Sequence, residues 1–150
     1  MTNFNIRLVS KEDYYCGHLE LYKQLSTINP ELITKIDYES YIDKLNDDHI
    51  IYVINDNNII IGSLTIFIEY KLLRNMGKVG HIEDVVIDRK YNGQGLGKKL
   101  INKAVEYCKN KNCYKIILNC SDENIGFYEK CGFKKKENEM ALYLTYEVKI

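Results

Sequence analysis

The residues best able to do chemistry lie in the second half of the chain. Asn92-Gly93-Gln94-Gly95-Leu96-Gly97-Lys98 sets three glycines at alternate positions. They stand between an apolar run and a helix-like stripe. Glycine accepts the backbone conformations that turn several N–H groups to one side. The unsatisfied first-turn amides and positive dipole end of the following helix add to them. Such a loop binds phosphate or pyrophosphate. It is not the G-x-x-x-x-G-K-S/T loop of nucleotide triphosphatases. Lys98 stands where the dinucleotide fingerprint needs its third glycine, and a protein-kinase glycine loop fails on the same spacing. Upstream, Glu83 and Asp84 are adjacent acids in an apolar run. On a regular strand they point to opposite faces, and only a bulge changes that.

The elements that must position these residues can be read from period and punctuation. Phe4–Val9 alternates as a strand, and Ser10 caps a helix over about Glu12–Leu25. Asp37 caps a second helix over about Tyr38–Leu45. Ile50–Ile54 and Ile59–Ile68 flank the polar insert Asn55-Asp56-Asn57-Asn58 and form a hairpin. Asn75-Met76-Gly77-Lys78 makes the next turn and His81–Ile87 the next strand. Leu96, Leu100, Ala104 and Cys108 recur every four residues, with Ile101 and Val105 beside them, which predicts an amphipathic helix to about Lys111. Tyr114–Leu118 reads as a strand and Asn124–Lys130 as a short helix stopped at Gly132. Phe133–Ile150 offers one or two more strands. The order β-α-α-β-β-β-α-β-α-β predicts an α/β chain with a mixed sheet and flanking helices. The 150 residues suit one domain, with no linker or repeat.

Composition excludes several classes. Lys+Arg and Asp+Glu both number 21, so broad binding to nucleic acid or an anionic membrane is not expected. No apolar run nears the roughly 20 residues of a membrane helix. Met1–Arg7 lacks a signal-peptide pattern, which makes a cytoplasmic location the default. Cys16, Cys108, Cys113, Cys120 and Cys131 are odd in number and include no C-x-x-C pair. That spacing suits neither a disulfide framework nor a zinc site, and most of the five read as small buried apolar residues. His18, His49 and His81 are scattered, and no metal site is expected.

The glycine loop resembles the Arg/Gln-x-x-Gly-x-Gly/Ala pattern of the GNAT acetyltransferases, with Asn92 at the Arg/Gln position. Asn124-x-x-Phe127-Tyr128-x-x-Cys131-Gly132-Phe133 resembles a second signature of that family. Gly80-His81-Ile82-Glu83-Asp84-Val85-Val86, Asn112-Cys113-Tyr114-Lys115-Ile116 and Phe127–Phe133 resemble one branch, the glucosamine-6-phosphate N-acetyltransferases. The likeness runs from about Glu69 to Phe133. It implies the GNAT fold, with a sheet splayed between Ile82–Ile87 and Tyr114–Asn119.

It also implies acetyl transfer from acetyl-coenzyme A to the 2-amine of glucosamine 6-phosphate in a ternary complex, feeding UDP-N-acetylglucosamine synthesis. On this reading the loop amides of Asn92–Lys98 bind the pyrophosphate, and Val85, Val86 and Ile87 line the pantetheine arm with Asn119, Asn124, Phe127 and Tyr128. Glu83 and Asp84 contact the sugar and help receive its proton. A backbone N–H near Val85 steadies the oxyanion, and Tyr128 serves the leaving thiolate. Lys71, Arg74, Tyr114 and Lys115 recognise the sugar phosphate, and Ser26 touches substrate. The family forms intertwined homodimers, and the apolar tail Ala141–Val148 could supply an exchanged strand.

Two departures stand out. Asn119 replaces an acid that relatives often carry, and an amide cannot accept the proton. The partner arginine that relatives place on the phosphate is missing from Met140–Leu144, where Lys149 could substitute. The other readings are a GNAT enzyme for a polyamine or peptide amine, and a coenzyme A-binding module without turnover.

Overall fold

The computed structural model describes residues 4–146. Five strands lie in sheet order β1-β2-β3-β4-β5, with β1 Asn5–Leu8, β2 His49–Asp56, β3 Ile59–Tyr70, β4 Lys78–Ile87 and β5 Cys113–Ile117. The first four pair antiparallel and β5 joins β4 in parallel. The sheet is therefore mixed, as the element order predicts. The chain divides into two compact units, Met1–Leu118 and Asn119–Ile150. The sheet belongs to the first.

The hairpin forms where the sequence places it. Asn57 and Asn58 take φ of 48° and 65° between Asp56 and Ile59. Two left-handed residues are what a tight two-residue hairpin turn demands, and asparagine tolerates them best after glycine. Ile50–Ile54 are buried without a break, because β2 is covered on both faces.

One face carries α4, Leu96–Asn110, whose stripe Leu96, Leu100, Ile101, Ala104 and Cys108 is buried. There β4 and α4 meet so closely that a Cβ on Gly80 would lie 2.5 Å from Cys108 Sγ. Gly80→Ala should cost about 1–3 kcal/mol by overpacking. The loss should shrink in a Cys108→Ala background, read as thermal midpoints, and an equal loss in both would refute the contact. The other face carries α1, His18–Leu21, and α2, Lys35–Asp43.

Several expectations need correction. The first helix is broken into a 3-10 turn Lys11–Cys16, α1, and a 3-10 turn Tyr22–Gln24. Gly17 at φ 80° is the break, because a left-handed residue cannot continue a right-handed helix. Ser10 does begin it, in a capping box with Asp13. The cap of α2 is Thr34 rather than Asp37; Asp37 is its N3 partner, accepting the Thr34 N–H at 2.9 Å. The turn before β4 contains a short helical segment α3, Leu73–Met76, with left-handed Arg74 and Asn75. The strands expected after Phe133 are absent among residues 133–146, whose backbone joins no ladder. Of the tail expected to supply an exchanged strand, residues 141–146 form no strand, and Val148 and Lys149 lie outside the described residues. All five cysteines are thiols, but only Cys108 is buried, since the others sit at element ends or in connections.

Candidate active site

The site is built on an irregularity in β4. Ser63 pairs with Val86 and Thr65 with Glu83, so Leu64 faces both Asp84 and Val85. The extra residue is a bulge, and Asp84 takes φ 51° within it. Aspartate accepts the left-handed region better than most residues, which fits its type to the place. The bulge resolves the question of the adjacent acids. Glu83 shares the face of its partner Thr65. Asp84 is turned to the same face, where it lines a cleft with Tyr22, Ser26, Tyr38, Tyr41 and Ile51. That cleft, under α1 and α2, holds about 390 Å³.

β4 also parts from β5, three residues before Asp84. Their ladder runs from Lys78↔Cys113 to His81↔Ile117 and stops. From Ile82 onward β4 has one ladder, the one to β3. Asp88 N–H donates to Ile61 O at 2.8 Å, so ladder alternation turns Val86 toward β3. The backbone groups of Val85 and Ile87 then face the open side, where an extended ligand can pair with them.

The glycine loop follows directly. Gly93 and Gly95 sit at φ 82° and 72°, and no atom lies within 4 Å of where their Cβ would be. Glycine is needed there for conformation, not for lack of room. Gly95 caps α4, whose first ladder bond is Lys99 N–H to Gly95 O at 3.1 Å. The amides of Leu96, Gly97 and Lys98 precede it and bond no carbonyl of the helix. Asn92, Gly93, Gln94 and Lys98 are exposed beside them. The loop is thus an open cradle of amides that fits a pyrophosphate group.

The expected phosphate-binding residues gather elsewhere. Arg74 and Lys115 lie over the Tyr114 ring at 5.6 and 5.8 Å, and Tyr114 packs where a Gly77 Cβ would be. Lys71 pairs with Glu69 at 2.8 Å, and Glu69 also meets His81 at 2.9 Å. This group sits where β3 turns into β4 and β5 begins. Lys78 to Asp84 is six steps of β4, about 20 Å at ~3.3 Å per residue. Within one chain, Ser26 and Asp84 line one cleft with Glu83 the strand neighbour of Asp84, and Lys71, Arg74, Tyr114 and Lys115 form a separate cluster.

In the second unit, α5 spans Ile125–Lys130. Asn124 donates to Ser121 Oγ at 3.2 Å, and Asn119 is exposed. The Tyr128 ring stands edge-on to Phe127 and Phe133, with centroids at 5.0 and 6.1 Å. Burial pushes its phenol up to about 12, so at neutral pH it keeps a proton to give.

Sequence reasoning missed the cleft's polar wall. His18 Nδ1 lies 2.6 Å from Tyr38 Oη, His18 Nε2 lies 2.9 Å from Ser63 Oγ, and Ser63 Oγ lies 3.0 Å from Tyr22 Oη. The signal available was one histidine and one serine in otherwise apolar segments. Burial lowers the His18 pKa to about 4 against a smaller upward pull from Asp13. Unfolded, that histidine binds a proton near pH 6.5. Between about pH 6.5 and 4 the unfolded state therefore holds more protons, and stability falls as pH falls, by roughly 3 kcal/mol at most. His18→Phe should flatten this part of the stability-versus-pH curve in urea titrations; an unchanged slope would contradict the assignment.

Among the described residues no group of His, Cys, Asp and Glu could hold a metal ion. No helix there is long and apolar enough to cross a membrane.

Comparison with known proteins supplies the rest. The model of the Acetyltransferase (GNAT) family matches residues 18–133. The chain is 40% identical over 145 residues to a glucosamine 6-phosphate N-acetyltransferase of Arabidopsis thaliana, across 93% of this chain and 96% of that protein. It is 36% identical over 148 residues to glucosamine 6-phosphate N-acetyltransferase 1 of Dictyostelium discoideum, across 97% and 94%. The crystal structure of glucosamine-6-phosphate N-acetyltransferase from Arabidopsis thaliana matches with a TM-score of 0.92 at 39% identity, across 95% of this chain and 99% of that one.

Proposed function

This chain belongs to the acetyltransferase (GNAT) family, and we propose that it moves an acetyl group from acetyl-coenzyme A to the 2-amine of D-glucosamine 6-phosphate. The observation that supports this is the bulged β4, with Asp84 on the cleft, Glu83 beside it in the chain and the strand edge open beyond them. It occurs in a chain 40% identical to an enzyme named for that reaction.

Acetyl-coenzyme A supplies the thioester that the neutral amine attacks, giving N-acetylglucosamine 6-phosphate and the free thiol. The amides of Gly93–Lys98 hold its pyrophosphate, flanked by Asn92. The open edge of Val85, Val86 and Ile87 pairs with the pantetheine arm; Asn119, Asn124 and Phe127 are assigned to the same cofactor by their match to the family signature. Val85 N–H steadies the carbonyl oxygen as charge develops on it. Asp84 receives the amine proton, which Asn119 cannot do, and Glu83 orients the sugar. Tyr128 returns a proton to the sulfur.

The phosphate is held by Lys71, Arg74, Tyr114 and Lys115 of a second copy. About 20 Å of β4 separates that cluster from Asp84 in one chain, a gap that a homodimer with its sites at the interface removes. The exposed Leu72, Leu73 and Met76 beside the cluster, and Leu142, Tyr143 and Leu144 in the tail, are apolar surface of the kind a partner covers. Both compact units form one GNAT domain, as a family match running through 18–133 supports. The product would feed UDP-N-acetylglucosamine synthesis in the cytoplasm.

Thiol release from acetyl-coenzyme A, with glucosamine 6-phosphate, glucosamine and spermidine as acceptors, tests the reading. Turnover only with the phosphorylated sugar is expected. Turnover with spermidine alone would move the activity to cationic amines. Cofactor binding without turnover on any acceptor would make the chain a binding module.

A further inference from the structure

The polar wall of the cleft has no part in the mechanism above, yet it is costly to build. Tyr38, His18, Ser63 and Tyr22 form one hydrogen-bonded row from α2 through α1 to β3 and back, at 2.6, 2.9 and 3.0 Å. His18 and Ser63 are 1% and 0% exposed. Buried polar groups tolerated at this depth are normally paired, and every member of the row has a partner; Tyr22 at its end also bonds the Thr65 hydroxyl. Neutral imidazole offers one donor and one acceptor, and each hydroxyl one donor. The histidine tautomer therefore fixes the direction of its own two bonds and decides whether Ser63 is free to donate to Tyr22. If Nε2 carries the proton, Tyr38 donates to Nδ1, Nε2–H donates to Ser63 Oγ, and Ser63 is free to donate to Tyr22 Oη. Tyr22 then keeps its O–H, for Thr65 or for a group bound in the cleft. In the other tautomer Tyr22 spends its proton on Ser63 and presents only lone pairs.

Asp84 decides between the two. It lines the same cleft and is an acceptor only, so a donor at Tyr22 suits it and a lone pair does not. Its negative charge also helps burial hold the Tyr22 proton in place. The row thus ends in a hydroxyl that shares the cleft with Asp84.

We infer that Tyr22 is a specificity-determining contact, donating from its hydroxyl to a hydroxyl oxygen beside the acceptor's amine, and that Ser63 and His18 are positioning residues that aim it. The inference rests on the acceptor being an amino sugar. A polyhydroxylated amine offers the oxygen that this donor needs; a polyamine offers none.

The test is steady-state kinetics of wild type, Tyr22→Phe, Ser63→Ala and the double variant, with thermal midpoints alongside. Tyr22→Phe should lower kcat/KM for glucosamine 6-phosphate about 10- to 100-fold, with KM for acetyl-coenzyme A unchanged within about twofold. Ser63→Ala should lower it in the wild-type background and have no further effect on it in the Tyr22→Phe background, because both act through one hydroxyl. A residue with a merely structural role would shift the thermal midpoint and add its loss in both backgrounds. Wild-type turnover of the sugar that Tyr22→Phe leaves intact would overturn this inference alone. Absence of wild-type turnover with the sugar would overturn the acceptor reading and this inference together.

Discussion

Asp84→Asn is expected to lower kcat/KM for glucosamine 6-phosphate by about 10²–10³-fold, the range in which a positioned general base acts. The substitution separates charge from shape. Asp84 holds φ 51° in the bulge of β4, and asparagine is among the few residues that accept that backbone readily. The bulge, the open edge of Val85 and Ile87, and acetyl-coenzyme A binding should all survive, so the loss should appear in the chemical step. Asp84→Val is the informative contrast. A β-branched residue at positive φ strains the bulge itself, and both acetyl-coenzyme A affinity and thermal stability should fall with activity. Glu83→Gln should cost less than Asp84→Asn, because Asp84 lines the cleft and Glu83 is not among its lining residues. Equal, small losses from both amide variants would remove Asp84 as the base and leave water in that role.

Arg7→Met is expected to be the most destabilising surface-accessible change in the first unit. Asp13 is 1% exposed and accepts two hydrogen bonds from Arg7, at 2.8 and 2.7 Å, plus Ser10 N–H at 2.8 Å. Burial pushes the Asp13 pKa up, but the Arg7 bonds and the Ser10 amide outweigh it and hold the carboxyl below its ordinary value. Removing the arginine leaves a buried, half-paired carboxylate, a change worth about 3–5 kcal/mol. In a domain of this size that is a fall of roughly 10 °C in Tm. Arg7→Met with Asp13→Asn should recover part of it, since the amide oxygen still accepts from Ser10 without a buried charge. A Tm within about 2 °C of wild type for Arg7→Met would contradict this account of the pair.

Much of this was legible in the sequence, and the failures have physical causes. The hairpin, the α4 stripe, the glycine loop and the short helix before Gly132 depend on local chemistry, and each formed within a few residues of its expected place. The first helix was misread as continuous because its apolar spacing survives the break at Gly17. A single glycine in a helical pattern does not announce its φ. The bulge at Asp84 was equally silent. Adjacent acids are compatible with a plain strand, and only pairing with β3 reveals the extra residue. The row from Tyr38 to Tyr22 joins residues up to 45 positions apart, which no periodicity encodes. The strands expected after Phe133 need a ladder partner, which the local sequence does not reveal.

The central claim is that the cleft of one copy and the basic cluster of another make one acceptor site. It is tested most directly by purifying a mixed dimer of an Asp84→Asn chain and a Lys115→Ala chain, co-expressed with different tags. One interface site then carries both substitutions and the other carries neither. The account predicts that each variant alone is impaired and that the mixed dimer regains about half of wild-type turnover of glucosamine 6-phosphate. A mixed dimer no more active than the average of the two variants, or a chain that is fully active as a monomer, would contradict it.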